Sequence, residues 1–461
     1  MRFPISGLTL ALLACHPGSS GSGGSGLVAD PPLPGPDWTQ FRRDPHGTSA
    51  ASAPLTADQA RSLHEVWSHP TAANLWSQPV ARGDTVWVAL AGPGGIVALD
   101  AATGAERWAR KIEAVVQADC GTPERPGTWG APAVDGDTVY VAAADGDLHA
   151  LDAGTGDTRW KAHVADPTPH GELIETSVVL AGGKAWLGVA STAHCDQIPG
   201  RLAAVDLATH AVSQRTLVPD GQRGAAVWAS PAVEGGRVYL ATGNAEGDRT
   251  KTPLAQAVVA LDAASLVPLA SWQNPTALTN ADFGGAPTYF VAGGKAMLAA
   301  AAKDGWVYAF DAARIGDGPA WRREVATVDP AHPDAGGDPL AGFGSIVPPA
   351  FSGGLLFLGG GRTPGGDPGS VVAVDPGTGD VRWTRALPGP VLQPAVAAGG
   401  VLAVVTTWFD DRGSTLQLLD AGTGEPLKAF TSGAPSLAPP TWAGGALYWA
   451  TMDGVVHALR P

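Results

Sequence analysis

The chain has 461 residues and a formal net charge of −14, with no basic block anywhere. That balance lacks the electrostatic footprint of a nucleic-acid binder, so DNA and RNA are excluded as expected partners. Glycine (62) and proline (40) are abundant, but 44% of residues are apolar and 16 are tryptophan, so a large core is available and the glycines read as turns.

At the amino end, Met1-Arg2 precedes an apolar stretch from Ile5 to Leu13 that is too short to span a bilayer. Leu12-Leu13-Ala14-Cys15 then resembles a lipobox, in which the cysteine is lipidated after cleavage before it. The alternative is an ordinary signal peptide with an incidental cysteine. Residues 1–14 are expected to be the signal peptide, 15–36 a lipidated Gly/Ser/Pro-rich tether and 37–461 the folded body. No later stretch of about 18 apolar residues follows, so the expected location is the cell envelope, at the outer membrane, with the lipid on Cys15 as the only membrane contact.

Two signals then repeat along the chain. The first is a strand, a glycine-centred two-residue turn and a second strand. It occurs at Arg82-Gly83, Asp135-Gly136, Gly182-Gly183 and Gly235-Gly236, and again at Gly293-Gly294, Gly353-Gly354, Gly399-Gly400 and Gly444-Gly445. Tight hairpins need positive φ, and the β-branched and aromatic flanks suit strands. The second signal is an apolar strand ending in Asp, at Asp100, Asp152, Asp206, Asp262, Asp311, Asp375 and Asp420. Four copies continue through Gly104, Gly156, Gly379 and Gly424. Such an Asp accepts a hydrogen bond from the backbone two residues on. Repeats of four short strands at this period are propeller blades.

The eighth unit stops at Leu459-Arg460-Pro461, whereas Leu63-His64-Glu65-Val66-Trp67 stands ahead of the first hairpin as an outer strand without a blade. Joining them closes the ring and removes unpaired sheet edges. The expected fold is therefore all-β, an eight-bladed β-propeller of four-stranded antiparallel blades closed by an N-terminal outer strand on the C-terminal blade. Such a ring is expected to be monomeric.

The Leu-Asp-Ala-x-Thr-Gly-x-x-x-Trp copies, the opening Trp38-Thr39-Gln40-Phe41-Arg42 and the lipobox resemble the pyrroloquinoline-quinone-like (PQQ-like) propellers. That superfamily contains the quinoprotein alcohol dehydrogenases and the outer-membrane assembly lipoprotein BamB, so the resemblance implies a fold more than an activity. Long insertions at 113–127, 191–200, 243–254, 274–281, 326–342 and 360–369 all fall in the loops of one expected face, where binding is expected.

On that face the resemblance to the dehydrogenases implies specific roles. Asn244, in Ala241-Thr242-Gly243-Asn244, matches a calcium ligand, and Asp282, in Asp282-Phe283-Gly284-Gly285, matches the catalytic base with calcium beside it. Lys303 matches a basic residue that touches the quinone, and Asp196 is the one acid offered where the family places a calcium-binding Glu. Calcium takes hard oxygen ligands, and a carboxylate near the quinone takes a hydroxyl proton. The family's adjacent cysteine pair is reduced to Cys195, and no Cys-x-x-Cys-His motif occurs.

Two readings follow. One is a binding or assembly scaffold without cofactor, meeting envelope proteins or other macromolecules through its long-loop face. The other is a PQQ- and calcium-dependent alcohol dehydrogenase. Asn244 and Asp282 are otherwise turn residues, His149 and His457 are strand packing rather than metal ligands, and Trp108, Trp160, Trp321 and Trp383 pack between blades. Trp408 to Arg412 reads as a solvated loop with exposed aromatics. Cys120 and Cys195 belong to loops on one face in an oxidising compartment, so a disulfide between them is expected, the alternative being two independent thiols.

Overall fold

A computed structural model describes residues 37–71, 73–113, 127–167, 171–191 and 198–461, without the side chains of 52–54. Cys15, Cys120, Cys195 and Asp196 lie outside the described residues. The strands form eight sheets, each with an antiparallel four-stranded blade, and in seven of them those four strands follow in chain order from the inner strand outward. The inner strands begin at Val80, Ala133, Val179, Ala232, Thr288, Ala350, Val396 and Thr441, which number the blades one to eight.

All eight glycine turns join the first two strands of a blade. In blades one and two the turn falls one residue later than the sequence reading, at Gly83-Asp84 and Gly136-Asp137, because Arg82 pairs with Thr85 and Asp135 with Thr138. Gly182 and Gly183 both take positive φ, 60° and 73°, whereas in blade one Gly83 alone does, at 58°. A turn that needs only its first residue left-handed accepts Asp as its second.

Blade eight closes as expected. His64–Pro70 pairs antiparallel with Val455–Arg460 as the outermost strand. The seam is then locked by the contact used elsewhere between blades. The Trp67 Nε1–H donates to Ala101 O of blade one at 3.2 Å, and the indole lies over Gly104, where a Cβ would come within 2.5 Å of it. Trp108, Trp321 and Trp383 repeat the arrangement on Gly156, Gly379 and Gly424. In blade three the glycine is replaced by His210, held at φ 62°, and Trp160 stacks on its ring at 4.2 Å. The core accordingly lies between blades: Trp87 and Val80 of blade one pack with Val134 and Val139 of blade two.

Asp100 Oδ1 accepts from the N–H groups of Ala102 and Thr103 at 3.0 and 2.9 Å, and Asp152, Asp206, Asp262, Asp375 and Asp420 do the same in their own turns. Two blades carry a fifth strand that the repeat does not announce. Glu172–Leu173 adds to blade three, and Ala50–Leu55 runs parallel to the inner strand Val396–Gly399 of blade seven. A short helix, Ala57–Ser62, capped reciprocally by Thr56 and Gln59, then leads to the closing strand.

The segment before Ala50 fills the propeller axis. An inner strand has one edge unpaired, and its amides need acceptors. Residues 38–49 supply them blade by blade. Ala81 pairs with Trp38, Val134 donates to Thr39 O and Leu180 to the Gln40 side chain. Val233 then donates to Pro45 O, Tyr289 to His46 O, Phe351 to Thr48 O and Ala397 to Ser49 O, all at 2.7–2.9 Å.

Arg42 sits at the centre of this segment, 1% exposed and with φ 56°. Its guanidinium donates to Ser49 Oγ, to the carbonyls of Ala286, Pro287 and Pro349, and to Thr288 Oγ1. Its backbone N–H donates to Gln78 Oε1, and Gln78 reaches Pro440 O of blade eight. Burial pulls the Arg42 pKa down to about 9, against the opposing field of Asp44.

Candidate functional site

Above this plug the axis opens as a funnel of about 260 Å³ on the long-loop face. Its wall has one register. The residue four places before each inner strand lines it, namely Trp76, Trp129, Glu175 and Trp228 in blades one to four and Gly284, Ile346, Leu392 and Leu437 in blades five to eight. Phe41 and Gln78 also line the cavity. A proline just before the inner strand in blades one, two, four, five, six and eight marks the same position, and counting back from it would have found the ring.

Trp76 and Trp129 contact each other with centroids 5.1 Å apart and planes at 31°. Gly284 has to lack a side chain, since a Cβ there would come within 2.5 Å of Trp228 and 2.4 Å of Ile346.

Three of the four dehydrogenase-like positions meet behind Trp228. The indole N–H of Trp228 donates to Asp282 Oδ2 at 3.1 Å, and the Lys303 ammonium lies 3.0 Å from Asp282 Oδ1 and 5.0 Å from the Trp228 ring centroid. The Asp282 side chain is 3% exposed and that of Lys303 19%. Oδ1 is enclosed and makes no aligned hydrogen bond among the described residues, so the ammonium satisfies it as an ionic contact. Lys303 also donates to Asn280 Oδ1 at 3.4 Å; that oxygen accepts from Asn244 Nδ2 at 2.8 Å, and Asn244 Oδ1 accepts from Gln256 at 2.9 Å.

Asn280, absent from the sequence reading, is thus the link between Asn244 and Lys303; it comes from the 274–281 insertion and has no repeat signal. Asp282 is enclosed. Calcium requires several oxygens free to converge on it. Here both carboxylate oxygens and both amide oxygens already have partners within the cluster, with an ammonium on the acid. The described donors therefore fit a closed ion-pair network and not a calcium cage.

A second cluster lies on the 2–3 turn of blade two, where ligand atoms of Asp145, Asp147 and His149 come within 4.8 Å of one another. Each is engaged: His149 Nε2 with Asp145 at 2.9 Å, and Asp147 with Lys161 at 2.7 Å and with His163 at 2.9 Å. Burial raises the Asp147 pKa, but the Lys161 and His163 bonds outweigh it and hold the acid below its ordinary value. Blade five repeats the turn as Asp304 and Tyr308, joined at 2.6 Å, so the arrangement is a device of the repeat. There burial wins, and the Asp304 pKa is raised. In blade eight His457 turns instead to Glu65 of the closing strand, at 2.6 Å.

At the rim, Leu340 and Phe409 are 55% and 42% exposed. The Arg412 guanidinium covers Trp408 at 3.4 Å from the ring centroid and pairs with Asp410.

The profile of the family described as outer membrane protein assembly factor BamB matches residues 54–298 and 303–461. No curated protein matches the sequence. Among solved structures, a europium-containing methanol dehydrogenase is similar over 93% of this chain and 98% of its own, with 17% identity and a TM-score of 0.72. The quinohemoprotein alcohol dehydrogenase from Comamonas testosteroni is similar over 92% and 80%, with 18% identity and a TM-score of 0.69. BamB from Moraxella catarrhalis is similar over 87% and 100%, with 20% identity and a TM-score of 0.59. At these identities the likeness is one of fold.

Proposed function

The chain belongs to the family described as outer membrane protein assembly factor BamB, and from that premise we propose that it is a non-catalytic docking propeller of the cell envelope, tethered through Cys15 and meeting other envelope proteins with its long-loop face. The observation that carries this reading is the distribution of the insertions. Every loop on the opposite face between the first two strands is a two-residue turn, whereas 243–254, 274–281, 326–342 and 360–369 are long; Leu340, on one of them and in the funnel wall, and Phe409, between the second and third strands of blade seven, stand exposed. Apolar side chains standing on long loops above a rigid scaffold are the usual form of a protein-binding rim. The Cys15 tether keeps that rim at a membrane surface, and a Cys120–Cys195 disulfide would tie two loops of the same face.

The experiment is site-specific photo-crosslinking in envelope membranes. A photoreactive side chain at position 340 or 409 should trap the same protein partner from both positions, and one at position 136, in a two-residue turn of the other face, should not. Equal trapping from all three positions, or from 136 alone, rejects the reading.

A second reading, the PQQ- and calcium-dependent alcohol dehydrogenase, is favoured by the convergence of Asn244, Asp282 and Lys303 behind Trp228. The engagement of all their oxygens within the cluster weighs against it. The two readings separate on whether the purified chain, supplied with PQQ and calcium, reduces a dye when given an alcohol.

A further inference from the structure

The segment that fills the axis has a direction. Asp37 Oδ1 accepts from the N–H of Gly83, in the two-residue turn of blade one, at 3.0 Å. Trp38 then exchanges both backbone hydrogen bonds with Ala81 at 2.8 Å, and the Arg42 N–H donates to Gln78 Oε1 at 2.8 Å. The chain therefore enters the ring from the face of the two-residue turns and runs toward the funnel. It returns the same way, with Ala50 level with Ala397 and Leu55 level with Gly399, at the two-residue turn of blade seven. The entry point is fixed, because Trp38 is fully buried and the Arg42 guanidinium is bonded to Ala286 O and Thr288 Oγ1 across the channel. A pull on the chain ahead of Asp37 acts on the turn face and not on the rim.

We infer that the face of the two-residue turns is the side of the propeller turned to the lipid surface, and that the long-loop rim meets its partners on the far side of the ring. This rests on the Cys15 tether of the docking reading and goes beyond it by giving the tether a direction. The 22 residues of 15–36 reach at most about 75 Å when fully extended. To bring the rim to the lipid instead, that length has to pass about 15 Å outward across a four-stranded blade and about 20 Å along its strands. Nearly half of the reach is then taken up before the loops of the rim are met, and a chain held so extended loses conformational entropy. With the turn face toward the lipid, no part of the tether is confined in this way. The eight two-residue turns also let a flat surface approach the ring closely, whereas the insertions of the other face hold it off. A net charge of −14 gives the ring no attraction to anionic lipid, so the tether sets the contact.

The test places a fluorescent side chain at position 400 or 409 of the full chain, held in phosphatidylcholine vesicles whose headgroups carry a quencher. The two positions stand beyond opposite ends of one strand, Val401–Thr407 of blade seven. A Cβ at Gly400 meets nothing within 4 Å and Phe409 is exposed, so neither label disturbs the packing. Emission from 400 should be quenched several-fold more than emission from 409, and Cys15→Ser should release the chain from the vesicles and abolish the difference. Equal quenching, or stronger quenching at 409, overturns the inference. So does a Cys15→Ser protein that stays on the vesicles, since the surface and not the tether would then hold the ring. Rim-specific crosslinks from 340 and 409 with equal quenching sink the direction alone; stronger quenching at 400 without those crosslinks sinks the docking reading alone. A chain with Cys15 intact that stays off the vesicles removes the tether on which both rest.

Discussion

The Lys303 ammonium and the Asp282 carboxylate, 21 residues apart in the chain, meet at 3.0 Å behind Trp228, with the acid 3% and the base 19% exposed. The asymmetry of burial decides how the pair responds to mutation. Removing Lys303 strands a charge that cannot reach water, whereas removing Asp282 leaves a long side chain that can swing outward. Lys303→Met should therefore destabilise the chain by about 3 kcal/mol or more and Asp282→Asn by less, and the double variant should recover part of the loss. Urea unfolding of the four proteins measures the cycle; additive losses would mean that the pair is not coupled.

The axial plug is expected to be as sensitive. The Arg42 guanidinium satisfies three carbonyls and two hydroxyls in the channel, of which Pro349 O also accepts from Thr288 Oγ1. Arg42→Met removes the guanidinium donors and leaves the carbonyls of Ala286 and Pro287 buried without them, at about 1–3 kcal/mol for each acceptor left dry. A fall in melting temperature of several degrees, with earlier proteolysis in residues 38–49, is the expected result. An unchanged melt would show that the plug does not hold the ring.

Ring closure can be probed at a single methyl group. Gly104 combines φ 71° with a Cβ position 2.5 Å from Trp67, so Gly104→Ala should cost about 1–3 kcal/mol from backbone strain and displacement of the indole. Gly433 has open space around its Cβ position and no positive φ, so Gly433→Ala serves as the control and should be within about 0.5 kcal/mol of the parent. Thermal melts of the two variants distinguish a locked seam from a loose one.

Much of this fold could be read from the residues because the repeat is written in local chemistry. A glycine pair between β-branched runs fixes a hairpin, and an Asp two residues before a free N–H fixes the next turn, so each blade announces itself within about 50 residues. Trp67 followed the same rule and placed the closing strand correctly. The plug could not be read this way. Residues 38–49 have no apolar period, and the acceptors they offer to the inner strands each serve a different blade, from Ala81 to Ala397. The funnel ring escaped for another reason: its register is constant, but its occupants run from Trp to Glu to Gly. Asn244, Asp282 and Lys303 were found by resemblance, yet their partners Asn280, Gln256 and Trp228 are what turn three candidate ligands into a closed network.

The blade-two cluster gives a prediction with a definite pH sign. The Asp147 pKa is below its ordinary value in the fold, so its contribution is present above that ordinary value and is lost as the pH falls through the folded one. The His163 pKa is raised, by Asp166 first and then by Asp147, so its share is complete below the ordinary histidine value and is lost as the pH rises through the folded one. Asp147→Asn should therefore cost about 1–3 kcal/mol near about pH 6 and progressively less as the pH falls below the ordinary carboxylate value and through the folded one, measured by denaturant unfolding across that range. A cost that does not decline as the pH falls would assign the effect to packing.

The most direct measurement is turnover. The purified chain, incubated with PQQ and calcium and then given a primary alcohol and an artificial electron acceptor, is expected to reduce no dye above the protein-free rate, because Asp282 is held by Lys303 and Trp228. Alcohol-dependent dye reduction that disappears in Asp282→Asn would contradict the docking account and establish the chain as a quinoprotein dehydrogenase.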